Sequence, residues 1–250
     1  MLPKSLILGI LFLLISCFGF SQRMKVAVAA NFQSTMVELA KDFKAKEGLE
    51  MDIIVGSSGN LNNQIRNGAP YDLFLSADLM LPDSLYKDGY SFNAAKVYAM
   101  GRLVICSPFT KDLKNWKKTI LSKNTQKIAI ANPEIAPYGE AAKECLIKNH
   151  LWKEIQSNLV IGESIGQVNQ YLSNGLVDYG FSSNSFILEN KSKPVYWIEI
   201  GSDEYGPILQ GMVILKTSKG DSYKSALKFY QYLLSLRAKR IMQKFGYRFE

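Results

Sequence analysis

Short apolar runs alternate along this chain with longer segments whose apolar positions recur at helical spacing. Met24-Lys-Val-Ala-Val-Ala-Ala30 reads as a buried strand. The next segment carries Met36, Leu39, Ala40 and Phe43 at i, i+3, i+4 and i+7, one face of a helix, and Gly48 stops it. Asn31, a residue type suited to capping, stands at the helix start. Met51 to Val55 is a second strand. A turn of small residues, Gly56-Ser-Ser-Gly59, leads into a helix from about Asn60 to Asn67 with Leu61 and Ile65 on one face; Gly68 and Pro70 end the connection, and Asp72-Leu-Phe-Leu-Ser76 returns as a strand. Leu79 to Tyr90 is a further helical stretch.

The theme repeats in the second half. Strands are expected at Leu103 to Ser107, Gln126 to Ala131, Leu159 to Gly162, Val177 to Ser182, Val195 to Ile200 and Gly211 to Leu215. The Pro-punctuated turn Asn132-Pro-Glu-Ile-Ala-Pro-Tyr-Gly139 precedes a helix with Ala141, Ala142, Cys145 and Leu146 inward. Glu163-Ser-Ile-Gly166 opens another, with Val168 and Leu172 inward. One long helix, about Ser222 to Phe245, closes the chain with Ala226, Phe229, Tyr230, Leu233, Leu234, Ile241 and Met242 on its apolar face. Strands alternating with helices predict an α/β protein with mostly parallel sheets flanked by helices. Two lobes are expected, residues 22–104 with 209–250 and residues 105–208, with a cleft between them. In such sheets ligands sit at the carboxyl ends of strands, where these turns lie.

The N-terminus is read as a targeting segment. Lys4 supplies the basic end, Leu6 to Phe20 is apolar, and Gly19-Phe20-Ser21 offers small residues for signal-peptide cleavage, which makes residues 1–21 the leader and Gln22 the first mature residue. The run is short for a membrane span. A rival reading takes Leu14-Ile-Ser-Cys17 as a lipoprotein box with Cys17 lipidated; the short tether to the first strand speaks against it. Either way the folded part is exported, to the periplasm on the preferred reading.

Composition changes little in this picture. The chain of 250 residues is 47% hydrophobic and 21% charged, enough for a sizeable core. Its net charge of +8 is spread along the sequence, and the densest run, Lys111 to Lys118, reads as a solvated face rather than a nucleic-acid surface. Cys106 and Cys145 sit on apolar faces and read as buried small hydrophobes, although export permits a disulfide. The single His150 and the absence of Cys or His pairs at ligand spacing give no metal site.

The four turns offer neutral hydrogen-bond donors: the Asn31 amide, the Ser57, Ser58 and Ser164 hydroxyls, the Tyr138 hydroxyl, and backbone N–H groups at helix starts. None contains Lys or Arg, and the nearby carboxylates are Glu140 and Glu163. Such a set suits a fully ionised oxyanion. It does not suit an amino acid, whose ammonium needs an anionic partner, and it fits phosphate less well, because a protonated oxygen needs an acceptor. The turns contain no nucleotide-phosphate motif. A hydrolase using Ser58 as nucleophile would need a base, and the chain has neither a GxSxG motif nor a well-placed histidine.

The motifs Ala29-Ala-Asn-Phe32, Gly56-Ser-Ser-Gly-Asn-Leu61 with Gln64-Ile65, Gly68-Ala-Pro-Tyr-Asp-Leu-Phe-Leu-Ser-Ala-Asp78, Asn132-Pro-Glu-Ile-Ala-Pro-Tyr-Gly139 and Phe245-Gly-Tyr247 run in order through nearly all of the mature chain. In them the chain resembles the molybdate-binding proteins of bacterial ABC transporters, which are type II periplasmic binding proteins. The resemblance implies a two-lobed fold, capture of molybdate or tungstate without catalysis or cofactor, delivery to a membrane permease, and a monomer. It implies contacts from Asn31, where many members have Ser, from Ser58, and from the backbone N–H groups of Tyr138 and Ile165, with the Tyr138 hydroxyl also reaching the anion. Many members add a Tyr from a GIVYxSDA-like strand end. Here that segment is Gly180-Phe-Ser-Ser-Asn-Ser-Phe186, so Ser183 stands in the Tyr position and Tyr138 is the candidate replacement.

Overall fold

The computed structural model describes residues 23–189 and 195–249. The expected leader, residues 1–21, and Cys17 lie outside the described residues. Two five-stranded sheets form the frame. The strands of the first are β1 (Met24–Ala29), β2 (Met51–Gly56), β3 (Leu73–Leu75), β4 (Lys96–Met100) and β10 (Leu209–Ile214), in the order β2-β1-β3-β10-β4. Those of the second are β5 (Leu103–Ser107), β6 (Ile128–Ala131), β7 (Leu159–Gly162), β8 (Tyr179–Ser183) and β9 (Tyr196–Glu199), in the order β7-β6-β8-β5-β9. The helices are α1 (Gln33–Glu47), α2 (Ser58–Arg66), α3 (Met80–Lys87), α4 (Trp116–Thr119), α5 (Pro137–Lys148), α6 (Ile165–Ser173), α7 (Asn184–Glu189), α8 (Gly220–Leu233) and α9 (Leu236–Lys244).

The sheets share one topology. Each has a parallel core of three strands, β2-β1-β3 and β7-β6-β8, and two antiparallel pairs beyond it. They are therefore mixed rather than mostly parallel. The reason is connectivity: β5 and β10 arrive from the other sheet without a crossover helix to reverse the chain, so each enters antiparallel to its neighbours. The chain crosses between Met100 and Leu103, and Leu103 and Val104, expected in the first lobe, open β5 of the second sheet.

The inner strands β1, β3, β5 and β6 read as near-continuous apolar runs because helices cover both faces. Along β1, Val26 and Val28 pack with Met36, Leu39, Phe43 and Phe229 on one face, while Ala27 joins Leu61, Ile65 and Leu85 on the other. Leu73 and Leu75 against Phe74, and Met212 and Ile214 against Val213, divide the same way, as the period of two requires. Phe43 and Phe229 meet edge to face at 5.0 Å. Each such fully buried side chain contributes roughly 1.5–3 kcal/mol.

Two local expectations change. Asn31 does not cap a helix: it lies inside a short 3-10 turn, Ala30–Phe32, that precedes α1, and no side chain caps that turn. The C-terminal segment is two helices, not one. The Ser235 hydroxyl accepts the Ala238 N–H at 3.2 Å, so a capping residue interrupts the apolar periodicity and starts α9. Leu234 and Ile241 are accordingly only partly buried, as are Tyr230 and Ala40. Cys106 and Cys145 are buried free thiols, and burial pushes the Cys145 thiol up to about 12.

Candidate functional site

Four strand ends deliver four turns to one place. β1 ends in the Ala30–Phe32 turn, β2 in Ser57 and the start of α2, β6 in the turn before α5, and β7 in Ser164 and the start of α6. Between them lies a small cavity of about 10 Å³ lined by Ala29, Ala30, Asn31, Ser57, Ser58, Ala77, Ala136, Pro137, Tyr138 and Ile165. The structure thus brings together Asn31, Ser58, Tyr138 and Ile165, from both sheets. None of the lining residues is charged.

The donors follow from the helix starts. Ser58 is the first residue of α2, Tyr138 the second of α5 after Pro137, and Ile165 the first of α6. Backbone N–H groups in a first turn have no carbonyl within their own helix, and the helix dipole turns its positive end toward them. Pro137 suits the first position, where its missing N–H costs no intrahelical bond. Ser57 and Ser164 are spent as caps: Ser57 accepts from Asn60 N–H and Ser164 from Gln167 N–H, each at 3.4 Å. The Ser58 hydroxyl is placed differently. It accepts the Ala77 N–H at 3.0 Å, which leaves its own proton to be donated.

Two expected contacts are reoriented. The Asn31 side-chain NH2 donates to Gln210 Oε1 at 3.2 Å and to the Tyr247 hydroxyl at 3.1 Å, so this cavity-lining residue has its amide donor engaged elsewhere. The Tyr138 hydroxyl points to the crossover between the sheets, where it accepts from Gln210 Nε2 at 3.4 Å and hydrogen-bonds the Arg102 backbone. Ser183 is not brought to the cavity. It is fully buried, with its hydroxyl 2.8 Å from that of Ser185 and accepting the Phe186 N–H.

The carboxylates stand aside. Glu163 accepts from Asn60 Nδ2 at 3.0 Å. Asp78 caps the start of α3 through Leu81 N–H at 2.6 Å, and burial raises its pKa. Asp78 and Glu140 line a neighbouring space that shares only Ala77 and Pro137 with the cavity. His150 is exposed beyond the C-terminus of α5, whereas Tyr138 lies in its first turn. At 1.5 Å per residue that is roughly 18 Å from the cavity end of the helix.

Contacts across the cleft are made by the same turns. Gly59 N–H donates to Ile135 C=O at 2.8 Å, beside the Asn60–Glu163 bond, and the Ser185 hydroxyl donates to Asn31 C=O at 2.8 Å. Sequence analysis singled out neither Gln210 nor Tyr98 and met Tyr247 only within the Phe245–Tyr247 motif; Gln210 and Tyr247 accept from the Asn31 amide, and Tyr98 bonds Gln210. The one available signal was a lone glutamine interrupting the apolar strand Leu209–Ile214.

Comparison with known proteins places the whole folded chain. Residues 24–248 match the family model described as bacterial extracellular solute-binding protein. The molybdate-binding protein of Azotobacter vinelandii is 34% identical over 94% of this chain and 93% of its own length. That of Rhodobacter capsulatus is 34% identical over 88% of this chain and 86% of its own. The solved structure of the Azotobacter vinelandii periplasmic molybdate-binding protein superposes with a TM-score of 0.85 at 31% identity, covering 91% of this chain and all of the other. Through its full folded span, therefore, the chain belongs to the bacterial extracellular solute-binding proteins, in the family of the molybdate-binding proteins.

Proposed function

We propose that this protein captures molybdate, or its close analogue tungstate, outside the cytoplasmic membrane and hands it to the permease of an ABC transporter. The carrying observation is the uncharged cavity walled by first-turn backbone N–H groups from both sheets, with the Ser58 hydroxyl free to donate. A dianion meets donors only, which is the arrangement that charge-assisted hydrogen bonds favour. We assign the direct contacts to the backbone N–H groups of Asn31, Ser58, Tyr138 and Ile165 and to the Ser58 hydroxyl. The lobes divide as residues 22–102 with 209–250 and residues 103–208, and they close on the anion as a monomer. Cleavage after Ser21 releases the mature chain; anchoring through Cys17 is the alternative. The protein acts by binding alone: no base accompanies Ser58, and the only histidine stands at the far end of α5.

The test is a melting series on residues 22–250 with molybdate, tungstate, sulfate and phosphate. A ligand at about 100 times its Kd stabilises by roughly 2.7 kcal/mol, about 5–10 °C for a chain of this size. Shifts with molybdate and tungstate alone are expected. A shift with sulfate alone would keep the site and change its ligand, and no shift with any anion would remove the reading.

Ser58→Ala separates the two duties of that hydroxyl. The anion loses a charge-assisted donor, for a drop in affinity of about 10- to 100-fold, and Ala77 N–H loses its acceptor, for about 1–3 kcal/mol of ligand-free stability. Calorimetric titration reads the first and denaturant unfolding the second. An affinity equal to wild type would take Ser58 out of the site.

A further inference from the structure

Gln210 is fully buried on β10, the strand by which the chain returns to the first sheet. The pairing of β10 with β4 slips register between Gln210 and Gly211, a bulge of the kind that re-aims a side chain. The Gln210 amide is used at both ends. Its Oε1 accepts from the Tyr98 hydroxyl at 2.9 Å and from Asn31 Nδ2 at 3.2 Å, and its Nε2 donates to the Tyr138 hydroxyl at 3.4 Å. Asn31 and Tyr138 line the cavity from opposite sheets.

The other crossover meets the same point. Gly101 lies between β4 and β5, and a Cβ there would fall 2.2 Å from the Tyr138 hydroxyl oxygen and 2.9 Å from Gln210 Nε2. Tyr138 therefore reaches from the cavity, where its backbone N–H is, to the hinge, where its hydroxyl is. Burial holds the Tyr98, Tyr138 and Tyr247 hydroxyls well above their ordinary pKa, so the network stays neutral beneath a site for an anion.

We propose that Gln210 is a positioning residue for the oxyanion: its amide ties Asn31 to Tyr138 across the two lobes and sets the closed spacing of the backbone N–H groups that hold the ligand. The inference rests on the oxyanion reading. A primary amide is required because one planar group must accept from one lobe and donate to the other. Leucine has the size without either function, and glutamate lacks the donor. Breaking the tie favours the open form, so the effect falls mainly on ligand release.

The experiment is a stopped-flow and titration series with molybdate on wild type, Gln210→Leu, Tyr98→Phe and the double variant. Tyr98 touches Gln210 but does not line the cavity, so it reports on the tie without removing a ligand contact. Gln210→Leu is expected to release molybdate about 10- to 100-fold faster with little change in association. Tyr98→Phe should release it several-fold faster, and the double variant should be no worse than Gln210→Leu, since both act through one amide. Unchanged release from Gln210→Leu, or effects of the two substitutions that simply multiply, would overturn the positioning role while wild-type binding stands. Should Gln210→Leu not fold, unchanged release from Tyr98→Phe has the same force. Absence of binding by wild type to any tested oxyanion would overturn the underlying reading and the positioning role with it.

Discussion

Gly59→Ala is expected to weaken molybdate binding by about 100-fold or more while leaving the ligand-free protein as stable as wild type. Gly59 is the second residue of α2, and its N–H donates across the cleft to Ile135 C=O at 2.8 Å. A Cβ at this position would lie 2.9 Å from both Cα and Cβ of Ile135 and 3.0 Å from its carbonyl oxygen. Those are backbone and near-backbone atoms, and they cannot rotate away. Nor can the turn that carries them retreat easily. Asn132 C=O accepts from Ile135 and Ala136, and Asn132 Oδ1 accepts the Glu134 N–H at 3.0 Å. The lobes must instead stop short of the closed position, with the donors of α2 and α5 held too far apart to share one anion. Within α2 itself the change is favourable, because alanine exceeds glycine in helix propensity by up to about 1 kcal/mol. The two effects therefore separate by state. Titration calorimetry should show the affinity loss, worth about 2.7 kcal/mol at 100-fold. Solution scattering should show a smaller radius of gyration with saturating molybdate in wild type but not in the variant. A variant that binds within about threefold of wild type would mean that the Gly59–Ile135 approach does not limit closure.

Gly139→Ala should act in the opposite way, by destabilising the ligand-free protein. Gly139 is in the first turn of α5, where the helix leans on the end of β6. A Cβ there would stand 2.2 Å from Ala131 O, 2.7 Å from Ala131 C and 3.0 Å from Asn132 C. The opposing backbone is fixed: Ala131 pairs with Gly162 in the parallel ladder, and Asn132 N–H donates to Gly162 C=O at 2.7 Å. The gain in helix propensity is again at most about 1 kcal/mol. Overlap with an immobile backbone costs about 3 kcal/mol or more, so the steric cost wins. The net loss of about 2 kcal/mol should lower the melting temperature by about 4–8 °C for a chain of this size. Alanine tolerated there without a shift would mean that α5 can lift from the second sheet at little cost.

The two glycines look alike in the sequence. Each sits in a turn that leads from a strand into a helix, and local pattern assigns both to helix entry. Only the structure shows that one faces the other lobe and the other faces its own sheet. The same division runs through the site. The turns that carry Asn31, Ser58 and Tyr138 were legible because strand, turn and helix each leave a local signature and because helix starts supply donors whatever surrounds them; Ile165 was named only through the family resemblance. The direction of the Asn31 amide was not legible, since it is set by Gln210 and Tyr247, distant in sequence. Ser183 was expected at the site because the family resemblance sets it where many members have a tyrosine, but packing buries its hydroxyl against Ser185 instead.

By itself, the sequence determined the order of the elements, the apolar faces of the main helices, and an uncharged set of donors at four strand ends. These follow from short-range rules of periodicity and capping. The tertiary structure alone decided the antiparallel entry of β5 and β10, the close approach of Gly59 to Ile135, and the polar junction at Gln210. Those features arise where segments far apart in the chain compete for the same space or the same hydrogen bond, and no local pattern records the outcome of that competition.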